Sequence, residues 1–342
     1  MCDVDIRRSG YVIVTDHVPA DGTCDVSDAV QKLIDENPNR TIYFPDGKYV
    51  FSKPVLTPAH PEKSVALRLS NYAVIEAAEN WSSEEALIRL GASHSANDIY
   101  TNGSNYSLIG GIIDGRGVAN GVSIDGGRET MIRDVSIKHT KIGLHIKTGA
   151  NNRSSDADVY GVNIIGNGEV DSIGVLVEGF DNTLSNMRIA NVQYGVVLRA
   201  CGNMLRSIHP LYTCEYENYE NSCAFWDLGG NNWYDFCYGD HFGIAYRNAA
   251  DVSSIYHNCF CMWYAPKGSS HTVFKADGHF NSVVQNLKVG FHPEFENNII
   301  LSEEKTGGIG FFENLMTSTR KTINNSHESH IRGVFCAQDE LK

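Results

Sequence analysis

The sequence predicts an all-β chain, a right-handed parallel β-helix (a solenoid) with an N-terminal capping helix, and three observations carry that expectation. The first is a recurring pentapeptide: GLHIK at 143–147, GVLVE at 174–178, GVVLR at 195–199 and GIAYR at 243–247 each run glycine, apolar, variable, apolar, charged. The second is that another strand-like beat precedes most copies, such as MIRDVSI at 131–137, VYGVNII at 159–165, LSNMRI at 184–189 and NWYDFCY at 232–238, at intervals drifting through the twenties. Such periodicity marks a repeat architecture. The third is an amphipathic helix followed by strands near the N-terminus, the kind of cover that the open end of a solenoid needs.

A strand turns alternate side chains to opposite faces, so Leu144 and Ile146 of GLHIK point one way and His145 and Lys147 the other. One face is therefore apolar in every copy. Copies bury a continuous core only if each winds a full turn and lies parallel on the last. An antiparallel sandwich also uses many short strands, and Asn-Gly pairs at 102–103 and 120–121 are hairpin signals, but a sandwich does not require the same two beats in the same order. Near the N-terminus, DGTCDVSDAVQKLIDE (21–36) places Ala29, Val30, Leu33 and Ile34 on one helical stripe, with Asp25 or Ser27 as N-cap. TIYFPDGKYVF (41–51) reads as two strands about a Pro-Asp-Gly turn. The expected organisation is an N-terminal cap over residues 1–60 and one continuous β-helix over 61–342.

Composition agrees with strands and turns: of 342 residues, 42% are hydrophobic, 20% are charged and 32 are glycine. A formal charge of -13 disfavours nucleic acid and anionic membrane as partners, which demand positive faces. No run approaches the ~18 apolar residues of a membrane span, and the opening MCDVDIRRSG lacks an apolar signal core, so a cytoplasmic chain is expected. Nine cysteines, an odd number, sit mainly in strand-like contexts such as Cys237, Cys259 and Cys261 and read as buried free thiols in a reducing compartment. The CFC pair at 259–261 puts both sulfurs on one side of a strand with no matching pair, which favours structural cysteine over zinc. No metal or other cofactor is expected.

The combination of DGT (21–23), Asp28-Ala29, YFPDGKYVF (43–51) and GGIIDGRG (110–117) resembles the pectate lyase superfamily of single-stranded right-handed β-helices, by motif over the opening 115 residues and by rhythm beyond them. The resemblance implies the fold, and a range of carbohydrate chemistry: lyases, hydrolases, epimerases, fructan transferases and phage tailspikes. Asp28, Asp46, Gly47 and Asp114 match superfamily cap and turn positions and are read as structural. Departures narrow the chemistry, because the Asp-Asp and Gly-His-Gly of polygalacturonases and the Trp-x-Asp-His and Arg-x-Pro-x-x-Arg of extracellular pectate lyases are absent. Some fructan-processing relatives complete their site across a trimer, which makes a homotrimer the oligomer to expect.

If the pentapeptides stack in register, their terminal residues form an outward column of alternating sign: Asp125, Lys147, Glu178, Arg199, Asp227, Arg247. Such a ladder either fixes register by cross-strand ion pairs or lines a polar groove shaped for a sugar chain. Three tryptophans, Trp226, Trp233 and Trp263, fall in one short segment among many tyrosines, and a coil interior has little room for so many rings, so several are expected outside, facing sugar. The long connection HPLYTCEYENYENSC (209–223), with Tyr216, is expected to wall the site.

The function expected is a glycoside hydrolase or transglycosidase acting on an imported oligosaccharide, with Asp227, Glu178 and Asp240 as catalytic carboxylates, because glycosidic cleavage needs a protonated and an ionised carboxyl group facing one another. Arg199, Arg247, Trp226, Trp233, His241, Lys147, Tyr216 and Asp235 are the expected substrate-binding residues. A lyase or uronate epimerase, needing a base and a cation beside a carboxylate, is the alternative, and a non-catalytic carbohydrate-binding β-helix the third.

Overall fold

A computed structural model of the chain describes residues 10–60, 63–92, 107–148, 153–265, 268, 270–295, 297–305, 307–318, 322–323 and 331–336. They form two compact units that divide after Asn167. Each unit is a right-handed parallel β-helix, and every pairing between its named strands is parallel.

In the first unit a coil consists of three strands. One stack runs Tyr11–Ile13, Thr41–Phe44, Ala66–Leu69, Ser107–Ile109, Met131–Arg133 and Asp158–Tyr160. A second runs Gly47–Phe51, Ala73–Ala77, Ile112–Asp114, Ser136–Thr140 and Asn163–Gly166, and a third Ala86–Leu90, Asn120–Ile124 and Ile142–Ile146. Asn120-Gly121 thus opens a strand and is no hairpin turn; Asn102-Gly103 lies outside the described residues. The helix Ser27–Glu36 buries Val30, Leu33 and Ile34, while Ala29 of the expected stripe is exposed. Asp25 caps from just outside, its Oδ1 accepting from the Ser27 amide (2.9 Å) and hydroxyl (2.6 Å). Asp46 accepts from the Ser70 hydroxyl and the Tyr72 amide, and Asp114 from the Arg116 amide. Asp46 thus ties its turn to the next coil, while Asp114 is bonded within its own turn and to His139 of the next coil.

The second unit repeats the scheme. Its first stack runs Thr183–Ala190, Met204–Leu211, then the split pairs Trp233–Asp235 with Tyr238–Asp240 and Ile255–His257 with Phe260–Met262, then Val283–Gly290 and Phe311–Thr317. Its other stack runs Ile173–Val177, Tyr194–Leu198, Cys223–Asp227, Ile244–Asn248, His271–Ala276 and Asn298–Glu303.

Glycine opens GVLVE and GVVLR because the next coil lies too close for a side chain. A Cβ at Gly174 would stand 2.6 Å from the Gly195 carbonyl oxygen, and one at Gly195 2.4 Å from that of Ala224. GIAYR does not belong to the same register. Val196 lies opposite Phe225 and Phe225 opposite Tyr246, so Ala245 occupies the column of Gly195 and Gly243 stands two residues early.

The interior of the second unit is built from rings. Phe225, Tyr246 and Phe274 stack in sequence with centroids 5.3 and 4.9 Å apart, and Tyr234 stacks on Tyr256 at 4.4 Å. Tyr212, Tyr219 and Trp263 are also buried. Of the several aromatics expected outside, Trp233 and Tyr264 are exposed, but the core holds more rings than expected for a simple reason. Parallel strands repeat every ~4.8 Å, close to ring-stacking distance, so like rings from successive coils stack along the core at little cost in volume. Cys223, Cys237, Cys259 and Cys261 pack among them as buried free thiols, and burial pushes those of Cys223 and Cys259 up to about 12.

A polar ladder runs beside the rings. Asn182 donates to Asn203 (2.9 Å) and Asn203 to Asn232 (3.3 Å). Asn232 donates in turn to Asp227 Oδ1 (2.9 Å), which also accepts from the amides of Gly229 (3.1 Å) and Gly230 (2.8 Å), while Asp227 Oδ2 accepts from the Ser254 hydroxyl (2.6 Å). Asp227 is completely buried. It therefore faces the core, with Phe225 inward and Trp226 outward, against the expectation that places Asp227 in the outward column, where burial of an unpaired carboxylate would be avoided. Four donors remove that cost. Replacement of Asp227 by alanine strands all four and should lower the free energy of unfolding by about 3 kcal/mol or more, measured by urea denaturation.

Candidate functional site

The expected charge column forms only in pieces. In the first unit Lys147 Nζ meets Glu85 Oε2 at 2.5 Å and Asp125 Oδ2 at 3.7 Å, and Arg89 also bonds Asp125. In the second unit Arg199 pairs with Glu178 at 3.0 Å. The column then fails: Asp227 lies opposite Leu198, not Arg199, and turns inward. Glu178 and Asp227 accordingly face different environments and cannot flank one glycosidic bond as a carboxylate pair.

Arg247 stands in the column of Trp226 rather than that of Arg199. Its guanidinium lies 4.3 Å from the Trp226 ring centroid and 2.7 Å from Asp277 Oδ2. Trp226, half-buried, also leans on Tyr194. The two expected binding residues are brought together, but largely occupied by one another. Tyr216 falls in the short helix Tyr216–Asn221, and its side chain lies outside the described residues.

Asp240 and His241 form a buried cluster. Asp240 accepts from His209 Nε2 (3.1 Å) and His241 Nδ1 (2.7 Å), while His241 Nε2 accepts from the amides of Tyr264 and Ala265, both 3.1 Å. Two amide donors at Nε2 leave the proton on Nδ1, where it points at Asp240. Burial by itself would raise the Asp240 pKa, but the bonds from His209 and His241 outweigh it and hold it at about 2. With Asp240 only 6% exposed and every His241 nitrogen engaged, the cluster fastens the chain at 264–265.

An accessible constellation lies on the outer face of the strands Met204–Leu211, Trp233–Asp235, Ile255–His257 and Val283–Gly290. Alternation on these strands sends two columns to solvent. One is apolar, Met204, Trp233, Ile255 and Val283; the other is polar, Arg206, Asp235, His257, Gln285 and Glu313. Met204, Trp233 and Ile255 of the first column and Arg206, Asp235, His257 and Gln285 of the second line an open depression of about 340 Å³. Trp233 is 44% exposed, with its ring free to meet a ligand. Asp235 lies between two basic side chains, His257 Nδ1 at 3.3 Å from Oδ1 and Arg206 Nε at 3.6 Å from Oδ2, and Asn258 Nδ2 is 3.4 Å from Oδ1. Gln285 donates to Glu313 at 2.8 Å.

Of the residues expected from sequence, Trp233 and Asp235 thus meet at one accessible place, and Arg206, His257, Met204, Ile255 and Gln285 join them there. The signal for these was present in the first beat of the repeat. In NWYDFCY and SIYHNCF, alternation alone sends Trp233 with Asp235, and Ile255 with His257, to one face.

A family model described as rhamnogalacturonase A/epimerase, pectate lyase-like, matches residues 13–209. No curated protein matches the chain. Among solved structures, a double mutant of the tailspike protein of E. coli bacteriophage HK620 is similar at 11% identity and a TM-score of 0.73, covering 97% of this chain and 66% of that one. A tailspike mutant of the same phage in complex with a pentasaccharide is similar at 11% identity and a TM-score of 0.72, with the same coverage. The Streptococcus pneumoniae surface protein and adhesin PfbA is similar at 12% identity and a TM-score of 0.62, covering 96% of this chain and 97% of that one. The chain spans only 63–66% of the length of the phage proteins it resembles.

Acid stability separates the buried cluster from the open depression. The folded-state pKa of Asp240 lies below its ordinary value of 3.8, so the stability it confers is present above pH 3.8 and lost as pH falls toward about 2. Asp240→Asn should therefore melt below the wild type at neutral pH, and the gap between the two melting temperatures should close over that acid window.

Proposed function

The chain belongs to the rhamnogalacturonase A/epimerase, pectate lyase-like family, and on that footing we propose that it is a carbohydrate-active protein that holds an oligosaccharide in the depression around Trp233 and Asp235. The observation that carries this reading is the pairing of an exposed indole with a polar row on the same four strands. A pyranose ring presents C–H groups on its face and hydroxyls at its rim. Trp233 suits the first, and Arg206, Asp235, His257 and Gln285 the second.

The chemistry supported best is proton transfer on a uronate-containing sugar, the lyase or epimerase class. His257, whose Nδ1 faces Asn258 Nδ2 at 3.0 Å and Asp235 Oδ1 at 3.3 Å, and the accessible Asp235 are each a group able to take and return a proton, and Arg206 supplies a cation for a substrate carboxylate. Hydrolysis or transglycosylation by paired carboxylates is the weaker reading, because Asp227 is buried, Asp240 is bonded on both oxygens and Glu178 is paired with Arg199.

Oligogalacturonides test both the site and the chemistry. Trp233→Ala should weaken their binding about tenfold, read by titration calorimetry, with little change in melting temperature because the ring is exposed. Incubation with the wild type should generate the ultraviolet absorbance of an unsaturated uronate or an epimerised product, and both should vanish in His257→Gln. New reducing ends without that absorbance would move the chain to the hydrolases.

A further inference from the structure

Between the two halves of each coil's first stack the chain bends at a single residue in the left-handed region. In the second unit these residues are Asn186, Ser207, Phe236, Asn258, Asn286 and Asn314, with φ from 52° to 57°. They sit directly after the polar column, so Phe236 follows Asp235 as Asn258 follows His257. Left-handed backbone suits asparagine, whose short polar side chain relieves the local crowding, and disfavours a bulky ring. The asparagines also bond one another along the stack: Asn314 donates to Asn286 (3.0 Å) and Asn286 to Asn258 (3.1 Å). At Phe236 that ladder ends, and Asn258 reaches to Asp235 instead.

Phe236 joins none of the ring stacks of the core among the described residues. It is 53% exposed, and among the described residues no other ring packs on it. The chain thus carries, at one bend of the series, both a disfavoured backbone conformation and an exposed aromatic surface, where Ser or Asn serves in the coils on either side. That bend belongs to the same coil as Trp233 and Asp235. The rise along a strand places residues 233 and 236 at most roughly 10 Å apart, a span that two linked sugar rings can bridge.

We propose that Phe236 is a second sugar-facing aromatic at the edge of the depression, retained for ligand contact against the preference of the fold, so that the ligand is an oligosaccharide of at least two rings rather than a monosaccharide. The proposal rests on the assignment of the depression as the sugar site. Trp233 takes one ring face, Asp235 stands between, and Phe236 takes the next unit.

The test uses Phe236→Asn, Phe236→Tyr and Trp233→Ala in the full chain, with oligogalacturonide dimers and longer oligomers against galacturonic acid as probes. Phe236→Asn should melt at or above the wild type, since it eases the backbone and extends the asparagine ladder, yet bind the oligomers at least fivefold more weakly. Phe236→Tyr should retain binding, and the monosaccharide should bind wild type and Phe236→Asn alike. A lower melting temperature for Phe236→Asn would make the ring structural and overturn the proposal. Unchanged oligomer binding in Phe236→Asn, with binding lost in Trp233→Ala, would overturn it while leaving the site in place. Unchanged binding in both variants, or no binding by the wild type, would remove the site itself and the proposal with it.

Discussion

Everything in the molecule follows from the register of one coil on the next. Parallel strands ~4.8 Å apart place each side chain on the same position of the coil before and the coil after. Whatever one coil offers must therefore be compatible with its own repetition. Inside, that condition selects rings that stack, as in Phe225, Tyr246 and Phe274, and amides that hand hydrogen bonds along, as in Asn182, Asn203 and Asn232. The glycines at 174 and 195 answer the same demand from the opposite side, since each leaves room for the carbonyl of its neighbour.

How much of this could be read from the sequence depended on whether a feature was local. Periodicity within an element is local, and it yielded the parallel coils and the capping helix; alternation in NWYDFCY also carries the signal that Trp233 and Asp235 share a face, a signal on which the expected site does not rest. Register between coils is not local. The long connection between the strands ending at Leu211 and beginning at Cys223 breaks the spacing, and GIAYR, alike in letters, sits two residues out of step with GVVLR. The alternating column from Glu178 to Arg247 was lost through that slip. Asp227 was misplaced for a second reason: its burial is made tolerable by Ser254 and by the amides of Gly229 and Gly230, partners that only the folded chain brings within reach.

Three aspartates of the second unit show that environment, not residue type, decides the role. Asp227 has four donors and no exposure, which suits it to hold the core together. Asp240 lies between two imidazoles, one of which also ties down the backbone at Tyr264 and Ala265, so it serves the placement of a loop. Asp235 alone of the three keeps substantial exposure, 31% of its side chain, while lying beside a guanidinium and an imidazole. A carboxylate that solvent and substrate can both reach, beside groups able to share its proton and its charge, is the kind that chemistry needs.

A repeating fold also supplies its own controls. At most positions the neighbouring coils show what the backbone alone prefers, so a departure can be weighed against several answers to the same structural question. Where the bend after the polar column is left-handed in the second unit, it is answered by Asn or Ser in five coils and by phenylalanine in one. Had the departure fallen on an unremarked coil, local packing would be the first explanation. It falls instead on the coil of the exposed Trp233 and the accessible Asp235, and among the described residues no other ring packs on Phe236 in return for its backbone conformation. A cost borne at one bend and absent at the matching bends of the neighbouring coils is what the proposed contact of Phe236 with a sugar ring would account for.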